Sequence, residues 1–134
     1  MKNCNLHNQN NISTENATTC QKGKYGEQKA TDFLITKLYK IIERNFRTRY
    51  GEIDIIAENK ETLVFFEVKY LPNGTLETLS HELNSVKQQK IIKTAKLYLQ
   101  KHREYSNRYI QFDVLAIDVP GLEPVHHIEN AFSE

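Results

Sequence analysis

The stretch from Gly51 to Tyr70, GEIDIIAENKETLVFFEVKY, decides the fold that we expect for this chain. Runs of Ile, Val and Phe on either side of the turn residues Asn59 and Lys60 predict two β-strands joined as a hairpin. Four ionisable side chains interrupt these apolar runs, namely Glu52, Asp54, Glu67 and Lys69. Because an unpaired buried charge costs several kcal/mol, these side chains require a compensating partner.

The composition of the 134-residue chain bounds its class. Hydrophobic residues make up 39% of the sequence and charged residues 26%, as in a soluble globular protein of one domain. No apolar run approaches the roughly 18 residues of a membrane span, and the N-terminus lacks the apolar segment of a secretory signal. We therefore expect a cytoplasmic protein. The net charge of +1 gives no argument for nucleic-acid binding, which has to come from local charge.

The two cysteines, Cys4 and Cys20, lie in the polar N-terminal segment. They have no Cys or His partners at zinc-binding spacing, so a zinc motif is not expected. A disulfide between them is not expected in a reducing compartment.

The order of elements predicts an α/β domain around one mixed β-sheet. Residues 1–21 are rich in Asn, Thr and Gln and predict a disordered or loosely attached extension, whereas residues 22–134 predict a single domain. Apolar spacing predicts helices at 22–40 and 85–102, and strands at 40–50, 52–57, 62–70 and 109–119. Ser85 and Gln88 fit a capping box at the start of the second helix. Residues 71–84 predict a loop, and residues 125–128 a short strand or turn.

The predicted hairpin collects carboxylates on one face. If the two turn residues lie at the centre of the loop, Asp54 pairs with Phe65 across the strands. Glu52 then pairs with Glu67, and Lys69 shares their face because side chains alternate along a strand. Asp54 and Glu67 become diagonal neighbours about 7–8 Å apart at the backbone. The opposite face is apolar and consists of Ile53, Ile55, Val64, Phe66 and Val68.

This face has the groups needed for metal-assisted hydrolysis of a phosphodiester. Asp54 and Glu67 repel each other in a half-buried site, and a divalent cation between them removes that conflict. Glu27, on the inward side of the first helix, is a third candidate carboxylate. Oxygen ligands without a nearby thiol or imidazole favour Mg²⁺ or Mn²⁺ over zinc. Lys69 would pair with a carboxylate, hold a phosphate or orient an attacking water. A set of internal salt bridges around Lys69 is the structural alternative.

These residues resemble a known signature. GEID followed by EVK resembles the core of the PD-(D/E)XK nuclease superfamily. From about residue 22 to 132 the chain is more closely similar to the YraN-like family of small bacterial predicted endonucleases. The segments that carry this resemblance are, in order, GKYGEQKA, RNFRTRYGEIDIIA, VFFEVKY, SVKQQKIIKTAKLYL, RYIQFDVLAI and the terminal NAF. Tyr70 stands where an arginine is common in that family.

The resemblance implies a restriction-endonuclease-like core, a mixed β-sheet flanked by helices with the order α-β-β-β-α-β. It also implies a catalytic site, formed by Glu27, Asp54, Glu67 and Lys69. In that site the three carboxylates would bind Mg²⁺ or Mn²⁺.

Basic residues around the predicted site are candidates for nucleic-acid binding. Lys87 and Gln88 lie in the first turn of the second helix, where free amides and a lysine together favour an anion. Arg47 and Arg49 lie on the approach to Asp54. The later lysines of that helix, at positions 90, 93, 96 and 101, are typical of a solvated helix face. Contacts would be made mainly to the sugar–phosphate backbone of DNA, and would be salt-sensitive and weakly sequence-specific.

Three functions are compatible with the sequence. The first is a Mg²⁺- or Mn²⁺-dependent endonuclease-like enzyme that hydrolyses phosphodiester bonds in DNA. The second is a nucleic-acid-binding module of the same fold with little or no hydrolysis, and the third is a protein-interaction adaptor in DNA processing. The sequence leaves open the choice between DNA and RNA. It also leaves open whether residues 71–84 cover the site or form the contact of a homodimer.

Overall fold

A five-stranded mixed sheet lies at the centre of the structure, a computed structural model that describes residues 18–134. The strands, in their spatial order, are β1 Lys40–Thr48, β2 Gly51–Asn59, β3 Thr62–Tyr70, β4 Tyr109–Ile117 and β5 Val125–Phe132. Within the described residues, three helices flank the sheet: α1 Thr19–Thr36, α2 Leu76–Glu82 and α3 Ser85–Lys101. A 3₁₀ turn at Arg103–Tyr105 follows α3.

The strand directions explain the path of the chain. β1, β2 and β3 form an antiparallel meander, β4 runs parallel to β3, and β5 returns antiparallel to β4. A parallel pair cannot be joined by a tight turn, so the chain between β3 and β4 crosses through α2 and α3. The predicted α/β class with the order α-β-β-β-α-β is confirmed, and the architecture is compatible with a restriction-endonuclease-like core.

One long helix covers each face of the sheet. Leu34 of α1 packs in an apolar cluster with Phe66, whereas Tyr98 of α3 packs in a second cluster with Phe65. Neighbouring residues of β3 therefore face different helices, as the alternation of a strand requires. Within residues 18–134 no helix is both long enough and apolar enough to cross a membrane.

The first helix begins three residues earlier than predicted. The Thr18 hydroxyl accepts a hydrogen bond from the Gln21 amide, and the Gln21 side chain accepts one from the Thr18 amide. The remainder of the predicted extension, residues 1–17, lies outside the described residues. Cys20, in the first turn, is disulfide-bonded. The expectation against a disulfide is therefore wrong, since it was based on the expected compartment alone and not on geometry.

The segment predicted as a loop contains α2. Its cap is Thr75, whose hydroxyl accepts a hydrogen bond from the Thr78 amide at 3.2 Å, and Leu79 is its buried residue. The predicted loop is therefore wrong over residues 76–82. A helix of seven residues is too short to display an apolar period in the sequence.

The cap of α3 is Asn84 and not Ser85. The Asn84 side chain accepts a hydrogen bond from the Lys87 amide at 3.0 Å. The predicted capping box is wrong, since the Gln88 side chain donates to the carbonyl oxygen of Leu83 at 3.0 Å. Gln88 thus ties α3 to the end of α2.

The β2–β3 hairpin differs from the predicted register by two residues. Phe65 pairs with Ile56 and not with Asp54, because the two loop residues are Lys60 and Glu61. Lys60 has a positive φ of 56°, which helps the chain to reverse within two residues. A shift by two residues preserves the predicted faces, whereas a shift by one would have exchanged them.

Asp54 marks a break in the regular hairpin. The regular pairing of β2 with β3 ends at Ile55 and Phe66. Ile53 belongs to the cluster on the α3 side, although strict alternation predicts it beside Ile55 on the α1 side. The prediction for Ile53 is therefore wrong, because alternation is interrupted at Asp54. There the Asp54 carboxylate accepts a hydrogen bond from the Val68 amide at 2.8 Å.

Candidate active site

An open cavity of about 550 Å³ lies beside β2 and β3, between α1 and the first turn of α3. Its lining brings together six of the predicted site residues: Glu27, Arg47, Asp54, Glu67, Lys69 and Lys87. Glu52, the remaining charged residue of the hairpin, also lines the cavity. Arg49 and Gln88 lie outside the lining. Their predicted contacts with nucleic acid remain predictions.

Asp54 is partly buried among other carboxylates. Burial raises the pKa of Asp54 well above its usual range, and the nearby charge of Glu67 raises it further. Glu52 and Glu27 act in the same direction, whereas the hydrogen bond from the Val68 amide opposes them. The Asp54 carboxyl thus resists ionisation in the metal-free protein, and a nearby cation would reverse this tendency.

Glu67 is the most deeply buried carboxylate of the cavity, with 5% of the residue exposed. Its Oε1 lies 3.6 Å from Lys69 Nζ and 3.7 Å from Lys87 Nζ. Burial raises the pKa of Glu67, and Lys87 and then Lys69 partly offset that shift. Lys69 Nζ also lies 3.7 Å from the Glu82 carboxylate. The salt bridges considered as the structural alternative are therefore present around Glu67.

Glu27 is held in place by its neighbours on β1. Its Oε1 accepts hydrogen bonds from Arg44 Nε at 3.0 Å and from Asn45 Nδ2 at 2.7 Å. Both partners stand in the segment RNFRTRYGEID, but sequence reasoning assigned no site role to either of them. The signal available was this adjacent Arg-Asn pair, one strand away from Asp54.

Two further contacts provide oppositely charged partners for Glu52 and Lys69. Arg47 Nε lies 3.0 Å from a Glu52 carboxylate oxygen, so the fourth charge of the hairpin has a partner. Glu82 was missed as a partner of Lys69 because it lies in α2, which the sequence did not predict. Each interrupting charge in the hairpin except Asp54 therefore has an oppositely charged neighbour within residues 18–134.

The donor set fits one kind of metal ion. Among residues 18–134 no three or more His, Cys, Asp or Glu side chains are grouped so that they could hold a metal ion by themselves. The site offers two principal carboxylates, Asp54 and Glu67. Mg²⁺ is commonly bound through one or two carboxylates together with waters and substrate phosphates. These residues therefore fit a hydrated Mg²⁺ or Mn²⁺ ion at an open site, and they do not fit a closed structural metal site.

The profile of the Uncharacterised protein family UPF0102 matches residues 26–117. The chain belongs to this family. A UPF0102 protein of Persephonella marina is 42% identical over 111 residues, which cover 83% of this chain and 92% of that protein. A UPF0102 protein of Treponema denticola is 42% identical over 123 residues, covering 84% of this chain and 95% of that protein. A UPF0102 protein of Thermodesulfovibrio yellowstonii is 45% identical over 111 residues, which cover 82% of this chain and 94% of that protein.

The match to UPF0102 contains every candidate site residue, from Glu27 to Gln88, and ends with β4 at Ile117. β5 lies outside the matched range. Membership of UPF0102 assigns no activity to the chain, so the function has to be argued from the geometry of the cavity.

Proposed function

We propose that this UPF0102 protein is a Mg²⁺- or Mn²⁺-dependent enzyme of the PD-(D/E)XK type, close to the YraN-like family, that hydrolyses phosphodiester bonds in DNA. The observation that carries the proposal is the pair of Asp54 and Glu67. These carboxylates come from neighbouring strands, burial raises the pKa of both, and both line an open cavity. A divalent cation between them offsets the repulsion that otherwise keeps one of them protonated.

In the proposed site Asp54 and Glu67 hold the cation, and Glu27 is a third carboxylate directed by Arg44 and Asn45. A cation held by Asp54 and Glu67 would polarise the phosphodiester and activate a water molecule. Hydrolysis forms a bond from the water oxygen to phosphorus and breaks the bond from phosphorus to the leaving oxygen. The water proton passes to solvent, and the leaving oxygen takes a proton from solvent.

The lysines of the cavity have separate roles in this proposal. Lys69 lies on β3 beside Glu67, where its ammonium group can orient the attacking water. Lys87 enters from the first turn of α3, and in the proposal it contacts a phosphate oxygen. On phosphate binding both ammonium groups exchange part of their contact with Glu67 for the substrate, so their charge is available where negative charge accumulates.

A nucleic-acid-binding module without hydrolysis is the second candidate. The observation that favours it is the pairing of Glu67 with Lys69 and Lys87, at 3.6 and 3.7 Å, which neutralises this carboxylate without a metal ion. In that case the cavity binds DNA phosphates through its lysines, and the carboxylates maintain the lysine positions.

A cleavage assay separates the candidates. The purified protein is incubated with Mn²⁺ on linear, single-stranded and branched DNA, beside the variants Asp54→Asn and Lys69→Gln. Glu61→Gln, an exposed carboxylate of the hairpin loop, is the matched control. The proposal expects cleavage by the parent and by the control, and loss of cleavage in both site variants.

Cleavage that survives both site substitutions would point to a contaminant and overturn the active-site assignment. Salt-dependent DNA binding without cleavage by any variant would favour the binding module. Absence of DNA binding would favour a protein-interaction adaptor.

A further inference from the structure

The tip of the β1–β2 hairpin lies against the middle of α3. A Cβ added to Gly51 would lie 3.4 Å from the Thr94 hydroxyl oxygen and 3.6 Å from Lys90 Cβ. The hydroxyl oxygens of Thr48 and Thr94 are 3.4 Å apart. Glycine at position 51 therefore permits the close approach, and the hairpin tip and the exposed side of α3 form one continuous surface.

Two cationic side chains meet the ring of Tyr50 on this surface. The Arg49 guanidinium carbon lies 4.9 Å from the ring centroid, and Lys93 Nζ lies 5.8 Å from it. Arg49 Nη2 also donates a hydrogen bond to the Tyr50 hydroxyl at 2.8 Å. The Tyr50 amide in turn donates to the Thr48 hydroxyl at 3.1 Å, which fixes the turn that presents the ring.

Within residues 18–134, no carboxylate neutralises the cations of this surface. Arg49, Lys90 and Lys93 take part in no ion pair with any carboxylate of residues 18–134. By contrast, Arg47 and Lys87, which line the cavity itself, both do. Two such cations at the Tyr50 ring, with Lys90 beside Gly51, favour an anion supplied from outside the protein.

The surface begins where the cavity ends. Lys87 touches Glu67 at 3.7 Å, and Lys90 and Lys93 follow at steps of three residues on the same helix. Six residues of helix separate Lys87 from Lys93, which is about 9 Å. Four residues of strand separate Tyr50 from Asp54, which is about 13 Å. Since successive phosphates of a duplex strand rise about 3.4 Å, the two distances correspond to roughly three and roughly four nucleotides.

We infer that Arg49, Lys90 and Lys93 form a second phosphate-binding subsite for the backbone of a DNA strand whose reacting phosphodiester lies at Asp54 and Glu67. This subsite rests on the proposed function and extends it: the substrate is a polymer that continues about three to four nucleotides beyond the reacting position. Tyr50 is a positioning residue that directs Arg49. Lys90 and Lys93, which the sequence assigns to a solvated helix face, thereby acquire a binding role.

The test measures binding separately from cleavage. Full-length protein carrying Asp54→Asn is titrated into a short fluorescein-labelled DNA duplex, and the anisotropy is recorded in Mg²⁺ buffer at several salt concentrations. The lysine subsite variant adds Lys90→Gln and Lys93→Gln to this parent. A separate variant adds only Arg49→Gln to the same parent. The control adds Lys37→Gln and Lys101→Gln, which change the net charge equally at the ends of α1 and α3.

We expect the lysine subsite variant to lower the slope of log affinity against log salt by about 2, or about 1 per phosphate contact. If the binding curves converge near 1 M salt, this slope corresponds to about a hundredfold loss of affinity at 0.1 M. Arg49→Gln should lower the slope by about 1, and the control should retain the parent slope.

Two results would overturn the inference in different ways. If the subsite variant and the control have equal slopes while the parent still binds DNA, the subsite inference is wrong and the proposed function is unaffected. If the parent does not bind DNA, both the subsite inference and the proposed function are wrong.

Discussion

Asp54 gives the metal-free protein a stability that depends on pH. Burial and Glu67 raise its pKa in the folded state, so the folded protein holds this proton more tightly than the unfolded chain does. Its contribution to stability is therefore favourable in acid, below the unfolded pKa of about 3.9, and is lost as the pH rises through the folded pKa. We expect Asp54→Asn to raise the free energy of unfolding near neutral pH by roughly 1–3 kcal/mol.

Urea unfolding in the presence of a chelator, repeated over a series of pH values, checks this expectation. The asparagine side chain retains an oxygen for the Val68 amide, so the substitution mainly removes the charge. Glu61→Gln serves as the exposed control. A gain from Asp54→Asn that is the same in acid and at neutral pH would contradict the electrostatic explanation.

The same carboxylate predicts a response to Mn²⁺. A cation that binds only the folded state stabilises it by about 2.7 kcal/mol at a hundredfold excess over its dissociation constant. We expect Mn²⁺ to raise the melting temperature of the parent near neutral pH and to raise it little in acid, where protons compete for Asp54 and Glu67. Asp54→Asn should lose most of the shift and Glu61→Gln should keep it. Equal shifts in both variants would place the ion elsewhere.

Among the elements, α1 depends on a glycine for its distance from the sheet. A Cβ at Gly26 would lie 3.0 Å from Tyr70 Cβ, whereas a Cβ at Gly23 meets nothing within 4 Å. We expect Gly26→Ala to force α1 away from β3 and to cost about 1–3 kcal/mol in unfolding free energy. Gly23→Ala, on the same helix, should stabilise the protein by up to about 1 kcal/mol through helix propensity.

The two alanine variants control for each other in urea unfolding, because they make the same chemical change on one helix. Gly26→Ala should also weaken any Mn²⁺ response, since the next residue is Glu27. Equal effects of the two substitutions would show that helix propensity, and not the contact with Tyr70, decides the outcome.

The hairpin shows how far its sequence determines the site. Alternation predicts that Glu67 shares a face with Phe65, and both residues contact α3: Phe65 packs in one cluster with Tyr98, and Glu67 Oε1 lies 3.7 Å from Lys87 Nζ. It failed for Ile53, since the break at Asp54 depends on a hydrogen bond to the Val68 amide that no residue pattern encodes. The predicted register is wrong because the turn residues Lys60 and Glu61 are not an Asn-Gly or Asp-Gly pair, which would mark the turn in the sequence. The positive φ of Lys60 is visible only in the folded turn.

Contacts between residues that are distant in the sequence could not be predicted from it either. The pairing of Lys69 with Glu82 requires α2, whose seven residues give no periodic signal, and the anchoring of Glu27 requires Arg44 and Asn45 from β1. Residue types and local spacing thus indicated the carboxylates, whereas their partners emerged only from the packing of α1, β1 and α2 around the cavity.

At the scale of the whole molecule, β5 closes one edge of the sheet and is fastened to β4 by a buried carboxylate. Asp113 is fully buried and accepts three hydrogen bonds. They come from the Gln111 side chain at 2.9 Å, the Asn130 amide at 3.0 Å and, with the tautomer that donates from Nε2, His127 at 2.7 Å. Phe132 at the end of β5 stacks on Phe112, with ring centroids 5.2 Å apart.

We expect Asp113→Ala to lower the free energy of unfolding by roughly 3 kcal/mol, because it removes a fully buried acceptor and leaves three part-buried hydrogen bonds unmade. The loss should be concentrated at β5, so hydrogen exchange of its amides should accelerate more than exchange in β2 or β3. Asp32→Ala, which removes an exposed aspartate bonded to Gln28, is the matched control and should leave exchange unchanged. Uniform acceleration across all strands would show instead that β5 is part of the same cooperative unit as the hairpin that carries Asp54 and Glu67.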